Sequence, residues 1–156
     1  MGKLNAALSL SRALQRESLG DSFDRVVNLG ICGSVVSHFD VGDVVGVSSV
    51  SEGDRDSFGE SLTLDLTSWD RRLPRGILVT QDRAVKTAKQ KKQVLDSGGE
   101  LVDMEAFALA KVARVFGVPF YCVKVVSDRV SPRSSKAILK NLAPCSKKLC
   151  ERVASL

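Results

Sequence analysis

The chain has 156 residues, the length of one ordinary domain. Apolar residues make up 44% and charged residues 26%, which excludes a disordered tail, a collagen and a low-complexity linker. Lys and Arg number 23 against 18 Asp and Glu, a net charge of +5 that is too modest and too scattered to mark a nucleic-acid binder, and the 5% aromatic content argues against a single-strand stacking platform.

Residues 3–17 predict a helix. Leu4, Ala7, Leu8, Ser11 and Leu14 keep a helical spacing, Arg12, Gln15 and Arg16 lie off that stripe, and Gly20-Asp21 ends it. The β-branched run 25–31 predicts a buried strand running into a small-residue turn, Gly30-Ile31-Cys32-Gly33-Ser34. A second strand over 43–50 is opened by the turn Val41-Gly42-Asp43, and residues 51–61 read as a surface loop. The short apolar run 76–80 is a third strand. A helix over 84–96 follows, with a basic face of Lys86, Lys89, Lys91 and Lys92, closed by Ser97-Gly98-Gly99. Leu101-Val102-Asp103-Met104 feeds a helix over 105–116, stopped by Gly117 and Pro119. Phe120–Val126 is the strongest strand in the chain and ends at Ser127-Asp128. A loop at Ser131-Pro132 leads to a last helix over 135–153.

Strands alternating with amphipathic helices predict one α/β layered domain over 1–156 with a largely parallel sheet. No apolar run approaches the ~20 residues that span a bilayer, and the N-terminus has no signal-peptide pattern, so a cytoplasmic protein is expected. Cys32, Cys122, Cys145 and Cys150 form no Cys-x-x-Cys pair, and His38 is the single histidine. Free thiols and no structural metal are expected.

In such sheets ligands bind beyond the carboxyl ends of the strands. Four segments meet that condition: Gly30–Ser34, Thr80-Gln81-Asp82, Asp103-Met104-Glu105 and Ser127-Asp128-Arg129. Each also has a purely structural reading. Gly30 and Gly33 suit a tight turn. Asp103 suits a helix cap, and Glu105 suits the dipole of the same helix. Asp128 suits a turn or cap, and Asp82 could cap the basic helix, whose lysines suit a solvated face. His38 beside Phe39 suits a structural role. There is no Walker loop, Ser-His-Asp set or dinucleotide fingerprint.

The stretch Val102-Asp103-Met104-Glu105-Ala106, followed by Gly117-Val118-Pro119 and Phe120–Asp128, resembles the nucleoside phosphorylase/nucleosidase superfamily. Within it the chain looks most like 5′-methylthioadenosine/S-adenosylhomocysteine nucleosidases. Asn28–Gly33, Phe39–Val45, Gly76–Asp82 and Gly2-Lys3 with Asn5-Ala6-Ala7 resemble further family segments in the same order, so the likeness covers almost the whole chain. The resemblance implies a three-layer α/β/α fold with a central, mostly parallel mixed sheet, lacking the family's N-terminal strands. It implies hydrolysis of the N-ribosidic bond of a purine nucleoside, without a cofactor, by a homo-oligomer that engages neither nucleic acid nor membrane. Asp128 matches the aspartate that helps protonate the departing base, and Glu105 the glutamate that holds the ribose hydroxyls. Met104 would pack on the ribose, Asp103 would line the same turn and Ser127 would orient Asp128. Ile31, Cys32, Gly33 and Asp82 complete the expected substrate contacts.

The departures set the alternatives. Without the opening strands, no residue matches the family's water-activating glutamate or its phosphate-binding elements, and a sheet edge should lie open. Ile31 stands where Ser or Thr is common, and an aliphatic side chain bonds neither water nor phosphate. Ala84 falls near the base-stacking position, and Lys124 replaces an Arg. A phosphorylase, a futalosine hydrolase-like enzyme and an inactive nucleoside-binding remnant are the competing readings.

Overall fold

The apolar runs become strands and the amphipathic stretches become helices. The computed structural model describes residues 2–16, 23–54, 62–131 and 134–155. The predicted helix end at Gly20-Asp21, most of the predicted loop 51–61 and Pro132 lie outside the described residues. The elements run α1 (Lys3–Gln15), β1 (Val26–Ser34), β2 (Val44–Glu52), β3 (Thr63–Asp65), β4 (Arg75–Thr80), α2 (Ala88–Asp96), β5 (Leu101–Asp103), α3 (Ala106–Val115), β6 (Phe120–Arg129) and α4 (Ser134–Ala154).

One six-stranded sheet has the order β3-β2-β4-β5-β1-β6. Pairings β1–β6, β2–β4 and β4–β5 are parallel, whereas β1–β5, β2–β3 and β2–β6 are antiparallel. The two longest ladders, β1–β6 and β2–β4, are parallel, so the sheet is mixed but mostly parallel, as expected. Strand β2 pairs through Val44–Gly46 with β6 and through Gly46–Glu52 with β4, so the sheet curls back on itself.

Alternation along β6 assigns its faces. Phe120, Cys122 and Val126 join Cys32, Val45, Leu78, Leu101 and the α3 residues Phe107, Ala110 and Ala113 in the main core. Val123 and Val125 face the other way and pack with Val44, Leu73 and the α4 residues Cys145 and Leu149. Val94 of α2 covers Val79, Val35 and Val85. Helices therefore cover both faces, and α1 lies on α3. Among the described residues no helix is long and apolar enough to cross a membrane.

Four elements differ from their sequence reading. Gly30–Ser34 is strand, not turn: it continues β1, and neither Gly30 nor Gly33 has a positive φ. It pairs with β6 along its whole length and with β5 at Gly33 and Ser34. Strand β3 was not predicted, because three residues with one apolar position carry no periodic signal; it forms by adding to β2. Strand β6 runs on through Ser127-Asp128 to Arg129. Helix α2 starts at Ala88 rather than near 84, because Thr87 and Gln90 close a reciprocal capping box there. Asp82 therefore caps no helix.

Thr87→Ala removes the cap that sets this start. It should cost about 1 kcal/mol in chemical denaturation, with the midpoint lowered and the slope unchanged.

Candidate active site

The β5–α3 junction is built on one carboxylate. Asp103 ends β5, and its Oδ2 accepts the Ala106 N–H at 3.0 Å, capping the first turn of α3. Its Oδ1 accepts the Thr80 hydroxyl of β4 at 2.5 Å, and that hydroxyl oxygen accepts the Phe107 N–H at 3.0 Å. Lys124 of β6 places its Nζ 2.9 Å from Oδ2, with both side chains almost wholly buried, at 3% and 2% exposure. Burial works against the ammonium, and the Asp103 carboxylate more than offsets it, so Lys124 is held above its ordinary pKa. Gly30 lies beneath this ammonium; a Cβ there would stand 3.3 Å from Nζ.

A register shift shapes the opposite wall. Cys32 pairs with Val126, but Gly33 pairs with Asp128, which leaves Ser127 as an extra residue in β6. Such a shift re-aims the side chain that follows it. Val126 faces the α3 core, while Asp128 lines a cavity together with Val102 and Val130. Ser127 donates its hydroxyl to the Cys32 carbonyl at 3.1 Å and lies 3.0 Å from Asp128 Oδ1. From α4, Asn141 donates to the Ser127 carbonyl at 2.7 Å and clamps the irregular turn. A Cβ on Gly33 would meet Val130 at 3.0 Å, Val102 at 3.2 Å and Asp128 Oδ1 at 3.4 Å, so glycine is what lets Asp128 approach β1.

Six of the nine expected site residues line two adjoining cavities. The smaller, about 100 Å³, is lined by Gly33, Asp103, Met104 and Asp128 together with Arg83 and Ala84. The larger, about 670 Å³, is a groove lined by Gly2, Gly30, Ile31, Glu105 and Lys124 with residues of α1 and α4. Glu105 opens α3 without a side-chain cap bond, and its Oε1 accepts the Gly2 N–H at 3.0 Å. Asp103 does not present a free carboxylate, since both its oxygens are engaged. Cys32 lines neither cavity: it sits in the α3 core, where burial pushes its thiol far above the ordinary range. Asp82 lies apart from Asp128, at the rim. It accepts the Lys3 N–H at 2.9 Å and donates its own N–H to Asp54 at 2.6 Å.

Sequence reasoning left out a cluster at that rim. Lys3 Nζ lies 2.7 Å from Glu52 and 3.6 Å from Asp82 and also bonds Asp54, which ties α1 to the ends of β2 and β4. Partial burial works against both charges, and the ion pairs win. Lys3 is held above its ordinary value and Asp54 below. Lys124 and Thr80 were also absent from the expected site. Lys124 had a readable signal, because a lone charge inside the apolar run 120–126 demands a buried partner. His38 stands 3.1 Å from Glu100 and against Phe39, in keeping with its structural reading. Among the described residues no three His, Cys, Asp or Glu side chains come together as a metal set.

A protein-family model described as the phosphorylase superfamily matches residues 60–155, more than half of the sequence. The chain belongs to the phosphorylase superfamily. Among superfamily members, the 5′-methylthioadenosine/S-adenosylhomocysteine nucleosidase of Actinobacillus succinogenes is 27% identical over all of this chain and 76% of its own length. That of Desulfotalea psychrophila is 28% identical over 86% of the chain and 66% of its own. The 5′-methylthioadenosine nucleosidase of Arabidopsis thaliana superposes with a TM-score of 0.88 at 24% identity, covering 99% of this chain and 68% of that one. The futalosine hydrolase of Helicobacter pylori superposes at 0.86 with 16% identity, covering 99% and 75%. The superfamily and its fold thus agree with the sequence reading.

Lys124→Met leaves Asp103 buried without its cation and should cost about 3–5 kcal/mol. Because Lys124 has a raised pKa, its contribution is complete below the ordinary lysine value. It is lost as pH rises through the raised one. The wild-type chain should therefore lose stability in strong alkali by a step that Lys124→Met lacks, measured by denaturation across pH.

Proposed function

We propose that this protein is a nucleosidase that hydrolyses the N-ribosidic bond of a purine nucleoside of the methylthioadenosine/S-adenosylhomocysteine type. The observation that carries this reading is the placement of Asp128 and Glu105 around adjoining cavities at the strand ends of a superfamily fold. The named relatives that align over the chain support the substrate class.

Cleavage of this bond develops positive charge on the ribose and negative charge on the base. Asp128, backed by Ser127, is positioned to hydrogen-bond the purine and deliver a proton to its ring nitrogen as the base leaves. Glu105 accepts bonds from the ribose hydroxyls and favours the cationic sugar. For that it must exchange the Gly2 N–H for the sugar, or accept both through its two oxygens. Met104 packs on the sugar and Gly33 gives the base room. Ile31 offers no hydrogen bond to phosphate, which favours water over phosphate as the acceptor.

We propose in addition that the protein works as a homo-oligomer in the cytoplasm. Leu4 and Leu8, one turn apart on α1, remain 72% and 47% exposed, an apolar strip that a second copy would cover. Sedimentation at micromolar concentration should give a mass above that of the monomer; a monomeric mass refutes the assignment.

The reaction is tested by chromatography of free base. Methylthioadenosine, S-adenosylhomocysteine, adenosine, inosine and futalosine are each incubated with the protein, with and without phosphate. Adenine release without phosphate is the expected result. Strict phosphate dependence identifies a phosphorylase instead, release from futalosine alone a futalosine hydrolase, and tight binding without turnover a binding remnant. Asp128→Asn should lower kcat by about 10²–10⁴-fold with the fold intact. Glu105→Gln should weaken both KM and kcat, and a variant with both unchanged removes Glu105 from the site.

A further inference from the structure

Three charged side chains line the smaller cavity, of about 100 Å³: Asp103, Asp128 and Arg83. Asp103 is engaged by Thr80, Lys124 and the Ala106 N–H. Asp128 is backed by the Ser127 hydroxyl. Among the described residues, the Arg83 guanidinium has neither an ion pair nor a hydrogen bond.

The backbone on either side of Arg83 is pinned. Before it, the Gln81 N–H donates to the Asp103 carbonyl at 3.0 Å and the Asp82 N–H to Asp54 at 2.6 Å. After it, Val85 is buried against Val35, Val79 and Val94, and the Lys86 and Thr87 N–H groups both donate to Gln90 Oε1. Only Arg83 and Ala84 lie between these anchors, so the loop delivers them to the cavity at a fixed place. Ala84 adds no more than a methyl group, and Met104, Val102, Val130 and Ile138 make much of the remaining wall apolar. Charge beside an apolar wall is poorly screened, so a cation there acts strongly on an anion that forms in the cavity.

The reaction proposed above forms an anion at this place. The bond between C1′ and the glycosidic nitrogen breaks, and its electron pair goes to the purine. Asp128 gives a proton to a ring nitrogen and a water oxygen bonds to C1′. The proton that water loses returns to Asp128 through solvent. Until the ring nitrogen is protonated, the base carries negative charge.

We propose that Arg83 is a catalytic residue of the base pocket, whose guanidinium touches the departing purine and stabilises the negative charge that builds on it. The role rests on the nucleosidase reading and adds to it. Asp128 supplies a proton to the leaving group, and Arg83 supplies a fixed positive charge beside it. The pocket then binds an anionic base more tightly because of Arg83, whether or not a bond is broken.

The test uses the full chain and has a binding arm and a turnover arm. In the first, calorimetry in mildly alkaline buffer compares adenine with 8-azaadenine, whose more acidic ring N–H makes it an anion there. Arg83→Gln should bind the anion about tenfold or more weakly than wild type, with adenine nearly unchanged. Arg83→Lys should recover part of that loss. Lys86→Gln removes a nearby exposed charge outside the cavity and should lose nothing. In the second arm, Arg83→Gln should lower kcat for adenine release by about 10–10²-fold with KM nearly unchanged, because the charge exists only in the transition state. No selective loss of the anion in Arg83→Gln overturns the proposal, as does an equal loss in Lys86→Gln, since the effect is then one of net charge. Wild-type turnover with kcat unchanged in Arg83→Gln overturns it and leaves the nucleosidase reading standing. Selective binding of the anion through Arg83 without any turnover overturns the catalytic role together with that reading. A wild-type chain that binds neither base and releases none refutes both.

Discussion

The buried pair of Lys124 and Asp103 is the interaction on which the remaining geometry rests. Four elements meet at it: β4 through Thr80, β5 through Asp103, α3 through its first N–H groups, and β6 through Lys124. An isolated charge at this depth would cost several kcal/mol, and the pair survives because Asp103 is satisfied by a hydroxyl, an amide and an ammonium at once. The same pair sets the chemistry of its surroundings. Burial pushes the Cys122 thiol up to about 12 against the opposing pull of Lys124, so it stays protonated in the core.

With that floor locked, the two carboxylates of the proposed mechanism take up different surroundings. Glu105 is the residue at which α3 begins, so the cap made by Asp103 also places Glu105 at the mouth of the groove. Asp128 is placed by a local irregularity. The extra residue Ser127 turns Asp128 away from the face of Val126, and Asn141 of α4 holds the turn. One carboxylate depends on helix initiation and the other on a break in strand pairing. A change at the ion pair would disturb the first directly and the second through β6.

The curl of the sheet comes from one strand used twice, β2, which pairs with both β4 and β6. Strand β2 returns to β6, which protects the far edge of β6 over Val123–Val125. Among the described residues, no strand pairs with the other edge of β1 below Gly33. The Lys3 cluster anchors α1 across the ends of β2 and β4 and thereby makes one wall of the groove beside that edge.

The sequence by itself determined the element order apart from β3, because the apolar period separates the long strands from the amphipathic helices. It also determined the superfamily likeness, which rests on Asp103-Met104-Glu105 and Ser127-Asp128 in order. Only the tertiary structure decided that Gly30–Ser34 is strand, since small residues read as a turn until β6 is seen to pair with all five and β5 with Gly33 and Ser34. Only it decided that Asp103 is a buried anchor while Glu105, two residues on, faces the groove. A carboxylate's role depends on which donors reach it, and those donors come from Thr80 and Lys124, far away in the chain.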